Sequence, residues 1–444
     1  MSAALAARAR PHVVIIGGGF GGLYAARALR NAPVTVTVLD RTNHHLFQPL
    51  LYQVATATLA PSDVAQPIRF LLRKQRNTSV LLAEVERVDV TGRAVHLTGG
   101  GAVPYDYLIV ATGARHSYFD RPEWERDAPG LKTLDDALEL RRRFLMAFEN
   151  AEQSGDPDER QAWLTFVIVG AGPTGVELAG ILPDIAKQGM RDDFRNADPS
   201  ALRVILLEGG PRVLPAYSEA SSARAQADLE ALGVDVRVRT LVTGVEPEGV
   251  RVGEEFIPAR TVFWSAGNVA SPLARSLGVE LDRVGRVPVN EDLTVPGHPE
   301  VFVIGDLAAV RRKDGAMVPG VAPAAMQEGA WAAKNVVRAL RGDAMRPFRY
   351  RNKGELATIG RERAVAEFGR LRFGGRVAWL LWLFVHIMYL AGFRNRISVL
   401  VEWAYAYFTY RRGARLITSR EAGHLPEPSV RVRALPPWGD RGRG

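Results

Sequence analysis

The chain of 444 residues contains no cysteine, has a formal net charge of +9, and is 47% hydrophobic and 24% charged. Its length is sufficient for two or three hydrophobic cores, and its composition is ordinary for a globular protein. The lack of cysteine excludes disulfides, redox-active thiol pairs and thiolate-bound zinc or iron–sulfur centres. The adjacent histidines His44 and His45 have no third ligand that would suggest a metal, so we expect no metal site. Residues 1–10 lack the apolar stretch of a secretory signal.

The first predicted element is a strand that ends in a glycine-rich turn. Residues 13–16 are apolar, and a G-x-G-x-x-G motif follows, with its glycines at Gly17, Gly19 and Gly22. These glycines permit a tight turn and let backbone N–H groups approach a pyrophosphate. The next predicted strand, residues 34–39, ends at Asp40, which has the spacing of an acid that accepts hydrogen bonds from a ribose.

Two further strands assign this first nucleotide to FAD. Residues 107–111 are followed by the turn Thr112–Gly113, which passes beside the flavin nucleotide in proteins with two dinucleotide-binding domains. A strand is predicted at residues 301–304, and Gly305 and Asp306 follow it. In such proteins an acid at this position hydrogen-bonds the ribityl chain of the flavin. The predicted FAD residues are Gly17, Gly19, Phe20, Gly21, Gly22, Asp40, Arg41, Thr112, Gly113, Asp306 and Gln327.

A second strand, glycine loop and helix begin about 150 residues after the first. A helix is predicted over 134–152 and a polar linker over 153–158, before the apolar strand 166–169. A later strand ends at Glu208, which would accept a hydrogen bond from a ribose 2′-OH and repel a 2′-phosphate, so NADH is favoured over NADPH. A solvated strand end is the alternative interpretation of Glu208. The predicted NADH residues are Gly170, Gly172, Pro173, Thr174, Gly175, Glu177, Glu208 and Gly267.

Two such loops in one chain predict an α/β flavoprotein with two Rossmann-like domains, the FAD domain being discontinuous. A protein that binds two dinucleotides side by side usually moves electrons between them. Without cysteine, the electrons must leave the flavin directly for an external acceptor. The predicted segments are FAD-binding 11–125, NADH-binding 126–284, FAD-binding 285–349, an amphipathic membrane-associating helical region 350–420 and a disordered tail 421–444.

The C-terminal region combines apolar runs with arginine. Residues 377–390 are the most apolar run of the chain, and 397–408 form a second one, with eleven arginines against three glutamates over 360–420. The first run is too short to span a bilayer, so we expect helices that lie in the membrane interface, with arginine near anionic lipid headgroups. A dimer interface or a core helix is the alternative. No motif supports binding of nucleic acid.

The chain resembles the type II NADH dehydrogenases, single-subunit NADH:quinone oxidoreductases that do not pump protons, over about residues 11–420. The resemblance rests on residues 39–55, 170–180, 354–361 and 392–396. It implies that NADH reduces FAD, and that FAD reduces a membrane quinone, menaquinone or ubiquinone. It also implies a homodimer, peripheral on the cytoplasmic face of the bacterial inner membrane.

The resemblance further places the quinone beside the flavin, at a motif of the form A-Q-x-A-x-Q. Residues 322–327 match it, with Gln327 at the second glutamine and Pro323 in place of the first. Gln327 is expected to hydrogen-bond a quinone carbonyl, while capping a helix or bonding the flavin ring is the alternative. The predicted quinone residues are Gln327, Ala324 and Lys353, of which Lys353 is equally well explained as a solvated surface lysine.

Glu177, with Gln327, is the predicted catalytic residue. It is expected on the first turn of the helix that faces the pyrophosphate. Its apolar neighbours would raise its pKa, which suits a proton relay, and in the resembled family the matching glutamate is associated with hydride or proton transfer. The alternative is an acid held at a helix N-terminus by the helix dipole.

The remaining motifs leave choices open. Trp379, Trp382, His386 and Tyr389 share one helical face, which suits either a lipophilic quinone access route or a packing face. His44 and His45 are interpreted as polar groups of a loop. Two rival functions also stay open, namely a soluble NADH:electron-carrier reductase of the ferredoxin-reductase type and a flavin-bound sensor that binds NADH without turnover.

Overall fold

The computed structural model describes residues 10–191, 193–409 and 415–417. The predicted tail, 421–444, and part of the end of the predicted C-terminal region lie outside these ranges. The strands of the described part are β1 (His12–Ile16), β2 (Thr35–Asp40), β3 (His44–Leu46), β4 (Ala65–Pro67), β5 (Thr78–Leu82), β6 (Val85–Asp89), β7 (Ala94–Leu97), β8 (Ala102–Pro104), β9 (Tyr107–Val110), β10 (Ala114–His116), β11 (Thr165–Val169), β12 (Arg203–Glu208), β13 (Val234–Val238), β14 (Gly244–Glu246), β15 (Gly249–Val252), β16 (Glu255–Pro258), β17 (Thr261–Trp264), β18 (Asn268–Ala270), β19 (Val287–Pro288), β20 (Thr294–Val295), β21 (His298–Val303), β22 (Ala308–Ala309), β23 (Glu355–Thr358), β24 (Ala364–Phe368) and β25 (Leu371–Gly374).

The α-helices connect and cover these strands. Within the described residues they are α1 (Phe20–Ala28), α2 (Leu51–Ala55), α3 (Pro61–Val64), α4 (Ile68–Leu72), α5 (Leu134–Gln153), α6 (Pro157–Trp163), α7 (Pro173–Asp184), α8 (Glu219–Ala231), α9 (Ala322–Leu340), α10 (Gly375–Tyr389) and α11 (Phe393–Thr409). A π-helical turn, Ile185–Gly189, continues α7.

The first sheet has six strands in the order β20-β21-β9-β1-β2-β5, all parallel except β20. Its strands come from both sides of the second sheet in the sequence, so this domain is discontinuous, as predicted. The apolar side chains of β1 are almost fully buried because helices cover both faces of a parallel sheet. Helix α9 crosses α1 so closely that a Cβ at Gly329 would lie 2.1 Å from the carbonyl oxygen of Gly21.

The second sheet repeats this plan with four parallel strands in the order β13-β12-β11-β17. The antiparallel pair β10–β18 lies where the chain passes from one sheet to the other and back. Two parallel sheets, each with a glycine loop after its central strand, confirm the predicted pair of Rossmann-like domains.

Helix α5 confirms the helix predicted over 134–152. Thr133 caps it, accepting a hydrogen bond from the backbone N–H of Asp136 at 3.1 Å. The polar linker predicted over 153–158 is shorter than expected, because α6 begins at Pro157. Asp156 caps α6, and proline is favourable at a first helical position.

The C-terminal region forms the small sheet β23-β24-β25 followed by α10 and α11. It is docked on the first domain by buried polar contacts. The Asn395 amide donates to the carbonyl oxygens of Ser62 and Asp63 at 2.9 Å each, and the Trp403 indole donates to Gln53 at 2.7 Å. Of the helices that the structure describes, none has the length and apolar character needed to cross a bilayer.

Candidate functional site

The first glycine loop is held by backbone contacts that leave no room for a side chain at Gly17 or at Gly22. The amide of Gly17 donates to the carbonyl of Leu39 at 2.8 Å, and a Cβ at Gly22 would lie 1.8 Å from the carbonyl oxygen of Gly17. Asp40, at the end of β2, accepts hydrogen bonds from the amide of Gly18 at 2.5 Å and from Thr42 at 2.7 Å. The acid is therefore fixed beside the loop, where a ribose would lie.

The second loop has the same geometry. A Cβ at Gly175 would lie 1.9 Å from the carbonyl oxygen of Gly170, and Glu208 at the end of β12 accepts from the amides of Ala171 and Gly210 at 2.7 Å each. The half-buried Glu208 is thus tied to its glycine loop, in the way Asp40 is, and is not a freely solvated strand end. The Ser265 hydroxyl donates to the Gly170 carbonyl at 2.7 Å, a contact that no sequence motif indicated.

A cleft of about 810 Å³ runs from the first glycine loop along the carboxyl ends of the first sheet. Its size suits a cofactor, and its position matches the rule for open α/β sheets. The Thr112 hydroxyl oxygen is buried and has no hydrogen-bond partner among the residues that the structure describes, as expected of a group that a ligand completes. Predicted FAD residues that line the cleft are Gly17, Gly19, Phe20, Gly21, Asp40, Arg41, Thr112, Gly113 and Asp306.

Lys132 is a cleft residue that sequence reasoning missed. It lines the cleft just before the Thr133 cap of α5, and burial lowers its pKa, while the nearby charge of Asp306 opposes the shift. A lysine before a helix cap is usually solvated, so no local signal distinguished it. Lys132 is half-buried because the fold brings this turn next to Asp306.

Glu177 was predicted on the first turn of its helix, but it is the fifth residue of α7 and lies beyond that turn. It is only 7% exposed, and it faces the C-terminal region instead of a pyrophosphate. Burial raises its pKa to about 8, partly offset by the backbone N–H of Thr358 and the indole of Trp382. The helix-dipole interpretation therefore fails, since that effect is confined to the first turn.

The indole of Trp382 is the side-chain donor that lowers the pKa of this carboxyl group against the effect of burial. It is buried, and it lies beside Glu177 without completing a hydrogen bond of normal geometry. The Trp382 ring stacks on His386 at 4.2 Å between centroids and is itself 2% exposed. Glu177 is therefore enclosed by α10, and its surroundings depend on the C-terminal region.

The predicted stripe on α10 divides between two surroundings. Trp382 and His386 form a packing face, and burial lowers the pKa of His386 to about 4. Trp379 packs at 6.0 Å from Tyr407, whereas Tyr389 is 38% exposed. The described contacts thus favour the packing interpretation for the buried half of the stripe.

The predicted quinone residues have different surroundings. The Gln327 amide nitrogen donates to the carbonyls of Pro323 and Arg351 at 3.0 Å each, and its oxygen accepts from the Arg351 amide at 3.0 Å. Both amide hydrogens are thus used within the protein. Ala324 is buried and lines a smaller cavity of about 200 Å³ beside Asp306, whereas Lys353 is exposed.

A further prediction from the sequence concerns the adjacent histidines His44 and His45. His44 and His45 were expected in a loop, but they begin β3, and the buried His45 pairs its Nδ1 with the Gly18 carbonyl at 3.0 Å. Burial lowers the pKa of His45 to about 4.

Gly267, a predicted NADH residue, has a φ of +71°, and a Cβ there would lie 2.8 Å from the ring of the exposed Phe119.

Comparisons with known proteins agree with this geometry. A family model described as pyridine nucleotide-disulphide oxidoreductase matches residues 11–329, and one described as NDH2 C-terminal domain matches residues 352–412. Two curated relatives from Mycobacterium tuberculosis are named type II NADH:quinone oxidoreductase Ndh and NdhA. They are 46% and 47% identical to the chain, each over 93% of it, and the matches cover 91% and 90% of the relatives.

Solved structures support the same fold. NDH2 from Plasmodium falciparum, solved in complex with NADH, has a TM-score of 0.84 at 20% identity, covering 91% of this chain and 99% of that one. The sulfide:quinone oxidoreductase of Aquifex aeolicus has a TM-score of 0.69 at 20% identity, covering 90% and 95%. At these identities the likeness concerns the fold alone.

Proposed function

The chain belongs to the type II NADH:quinone oxidoreductase family, and we propose that the two nucleotide sites described above carry that activity. The protein is accordingly an FAD-dependent enzyme that oxidises NADH and reduces a quinone without pumping protons. The identity of nearly one residue in two over almost the whole chain favours this function over a soluble carrier reductase or a non-turnover sensor. The boundaries of the FAD-binding, NADH-binding and C-terminal segments that the sequence predicts are part of this proposal.

The observation that carries the assignment of sites is the repeated geometry of loop and acid. In the first domain the glycine loop would hold the FAD pyrophosphate, Asp40 a ribose, and Thr112 and Asp306 the flavin side of the cofactor. In the second domain, the loop from Gly170 to Gly175 and Glu208 would hold NADH. FAD held in this way would supply the chemistry that links the two substrates, since a flavin can take up a hydride from NADH and give two electrons to a quinone.

The protein must also manage protons, because reduction of a quinone to a quinol takes up two of them. Glu177 is the proposed proton-holding group, since it is buried and its pKa is raised to about 8. Gln327 would act through Pro323 and Arg351, fixing the start of α9 and the chain that leads to β23. Pro323 stands where the quinone motif has a side-chain amide. The stopped-flow experiment below therefore compares menaquinone with ubiquinone as the quinone substrate.

Anaerobic stopped-flow absorbance of the purified protein in detergent tests the function. NADH should bleach the flavin band rapidly, and a short-chain menaquinone or ubiquinone analogue should restore it rapidly. The analogue that restores the band faster identifies the preferred quinone class. Bleaching that neither analogue reverses would contradict quinone reduction, and no bleaching would contradict the second nucleotide site.

Substituting Glu208→Gln should raise the KM for NADH roughly tenfold and reduce the preference for NADH over NADPH. A glutamine offers one acceptor oxygen to the two amides, of Ala171 and Gly210, that Glu208 now satisfies. It also removes the charge that repels a 2′-phosphate. Steady-state kinetics with both nucleotides measure the effect, and Glu255→Gln, an exposed carboxylate of the same domain, is the control. Unchanged constants for both nucleotides would refute the role of Glu208.

We also propose attachment to an anionic membrane surface through α10 and α11. Each helix presents an exposed apolar stripe at helical spacing, and stripes of this kind favour a position in the membrane interface. The stripe residues are Val377, Leu380, Phe384 and Met388 on α10 and Ile397, Leu400, Val401 and Tyr405 on α11. The predicted homodimer and the cytoplasmic face of the bacterial membrane belong to the same proposal.

A further inference from the structure

Helix α4 and the turn after it form an exposed basic surface outside the C-terminal region. Its members, named here the α4 surface, are Arg69, Phe70, Arg73, Lys74 and Arg76, and all five are exposed. Residues 64–83 include these four cations and no Asp or Glu. Among the residues that the structure describes, no carboxylate forms an ion pair with any of the four cations.

The side chains of Phe70 and Arg73 are preorganised for contact with a boundary between a polar and an apolar phase. The Phe70 side chain is 48% exposed, and the Arg73 guanidinium lies 3.7 Å from its ring centroid. Arg73 Nη1 also donates to the carbonyl oxygen of Phe70 at 2.6 Å. The pair places an exposed aromatic ring under a cation, and it loses little conformational entropy on binding because it is already ordered.

The α4 surface is connected to the proposed membrane helices by direct contacts. Gln66, two residues before α4, donates a hydrogen bond to Asn395 of α11, and a Cβ at Gly392 would lie 3.4 Å from the Gln66 amide. Asp63, the acid before this segment, is buried and accepts from the Ser398 hydroxyl at 2.7 Å. Its carboxylate is thus engaged with α11, and the cations that follow face solvent.

We propose that the α4 surface is a second membrane contact of this protein, which binds anionic lipid headgroups beside the apolar faces of α10 and α11. The inference rests on the proposed attachment through those two helices. Two features favour lipid as the occupant: the four cations have no carboxylate partner among the described residues, and the surface adjoins helices whose exposed faces are apolar. Cations near an anionic bilayer add to the binding of an interfacial helix, and an exposed ring suits the same boundary.

The test measures binding of the full-length protein to phosphatidylcholine vesicles with and without phosphatidylglycerol. Replacing Arg69, Arg73 and Lys74 by glutamine should lower the partition onto anionic vesicles roughly 100-fold. Binding to neutral vesicles and turnover with NADH and a soluble short-chain quinone should not change. The matched control removes three exposed cations elsewhere: Arg283→Gln, Lys313→Gln and Arg341→Gln.

A second variant, Leu380→Ser with Phe384→Ser, separates this inference from the proposed attachment. Loss of vesicle binding in this variant, with no change in the α4 variant, overturns the role of the α4 surface and leaves the attachment standing. Full vesicle binding by both variants overturns both proposals. An equal loss of vesicle binding in the α4 variant and in the charge control would show an effect of net charge and would also overturn the inference. The inference is overturned as well if the protein is a dimer that the α4 substitutions dissociate and the control substitutions do not.

Discussion

Glutamine at position 177 should slow NADH:quinone turnover roughly 100-fold while FAD stays bound, because Glu177→Gln removes a buried proton-exchanging group and keeps its size. Glu177 is 7% exposed as a residue and does not line the cleft beside the first glycine loop. Stopped-flow measurement of flavin reduction and of flavin reoxidation locates the defect. Slower reoxidation supports proton delivery to the quinone, and unchanged rates in both steps would refute the role.

The pH dependence follows from the raised pKa of Glu177. At a pKa of about 8 the group is protonated at neutral pH, so turnover that uses its proton should decline as the pH rises through about 8. The glutamine variant should lack this decline. Trp382→Phe should move it to higher pH, since the indole partly offsets the effect of burial on the carboxylate. Glu355→Gln, a half-buried acid on β23, is the control and should keep both the rate and its pH profile.

Thermal unfolding offers a check that does not depend on catalysis. The pKa of Glu177 is raised from 4.5 to about 8 in the folded protein, so folding takes up a proton between these values. The stability linked to this group is therefore complete below about pH 4.5 and is lost as the pH rises toward 8. Relative to wild type, Glu177→Gln should thus raise the Tm at pH 9 more than at pH 5. An equal change at both values would show that Glu177 is not buried as a neutral acid.

The features predicted well from the sequence are those whose signals are local. Each glycine loop, its preceding apolar strand and its acid lie within a few tens of residues, and the parallel sheet brings the strand ends together. Asp40 and Glu208 therefore occupy the expected places beside their loops. The helix over 134–152 was also predictable, because its cap and its periodicity are continuous in the chain.

The features that were missed depend on contacts between distant segments. Glu177 owes its burial to β23 and α10, which follow it by about 200 residues, and no pattern around residue 177 indicates them. Gln327 is bound to Arg351, and Lys132 is half-buried beside Asp306, for the same kind of reason. Sequence motifs predicted which residues lie at the two glycine loops, but the surroundings that set the chemistry of these residues arise only from tertiary packing.

The two glycine loops allow the two nucleotide sites to be disabled one at a time, with large effects. An alanine Cβ at Gly22 or at Gly175 would lie within 2 Å of a backbone carbonyl oxygen, of Gly17 or Gly170 respectively. Backbone atoms cannot move aside as a flexible side chain can, so the helix must shift from its strand, at a cost on the order of 1–3 kcal/mol or more.

Gly22→Ala should therefore yield protein without the flavin absorbance band, whereas Gly175→Ala should keep that band and lose its bleaching by NADH. In Gly175→Ala the chemical reductant dithionite should still bleach the flavin, which shows that only the delivery of electrons from NADH has failed. Each variant is the control for the other, since both place one methyl group at the same point of the same motif. If Gly175→Ala also lost its flavin, the second loop would support the FAD domain instead of binding NADH, and the assignment of separate nucleotides to the two loops would be wrong.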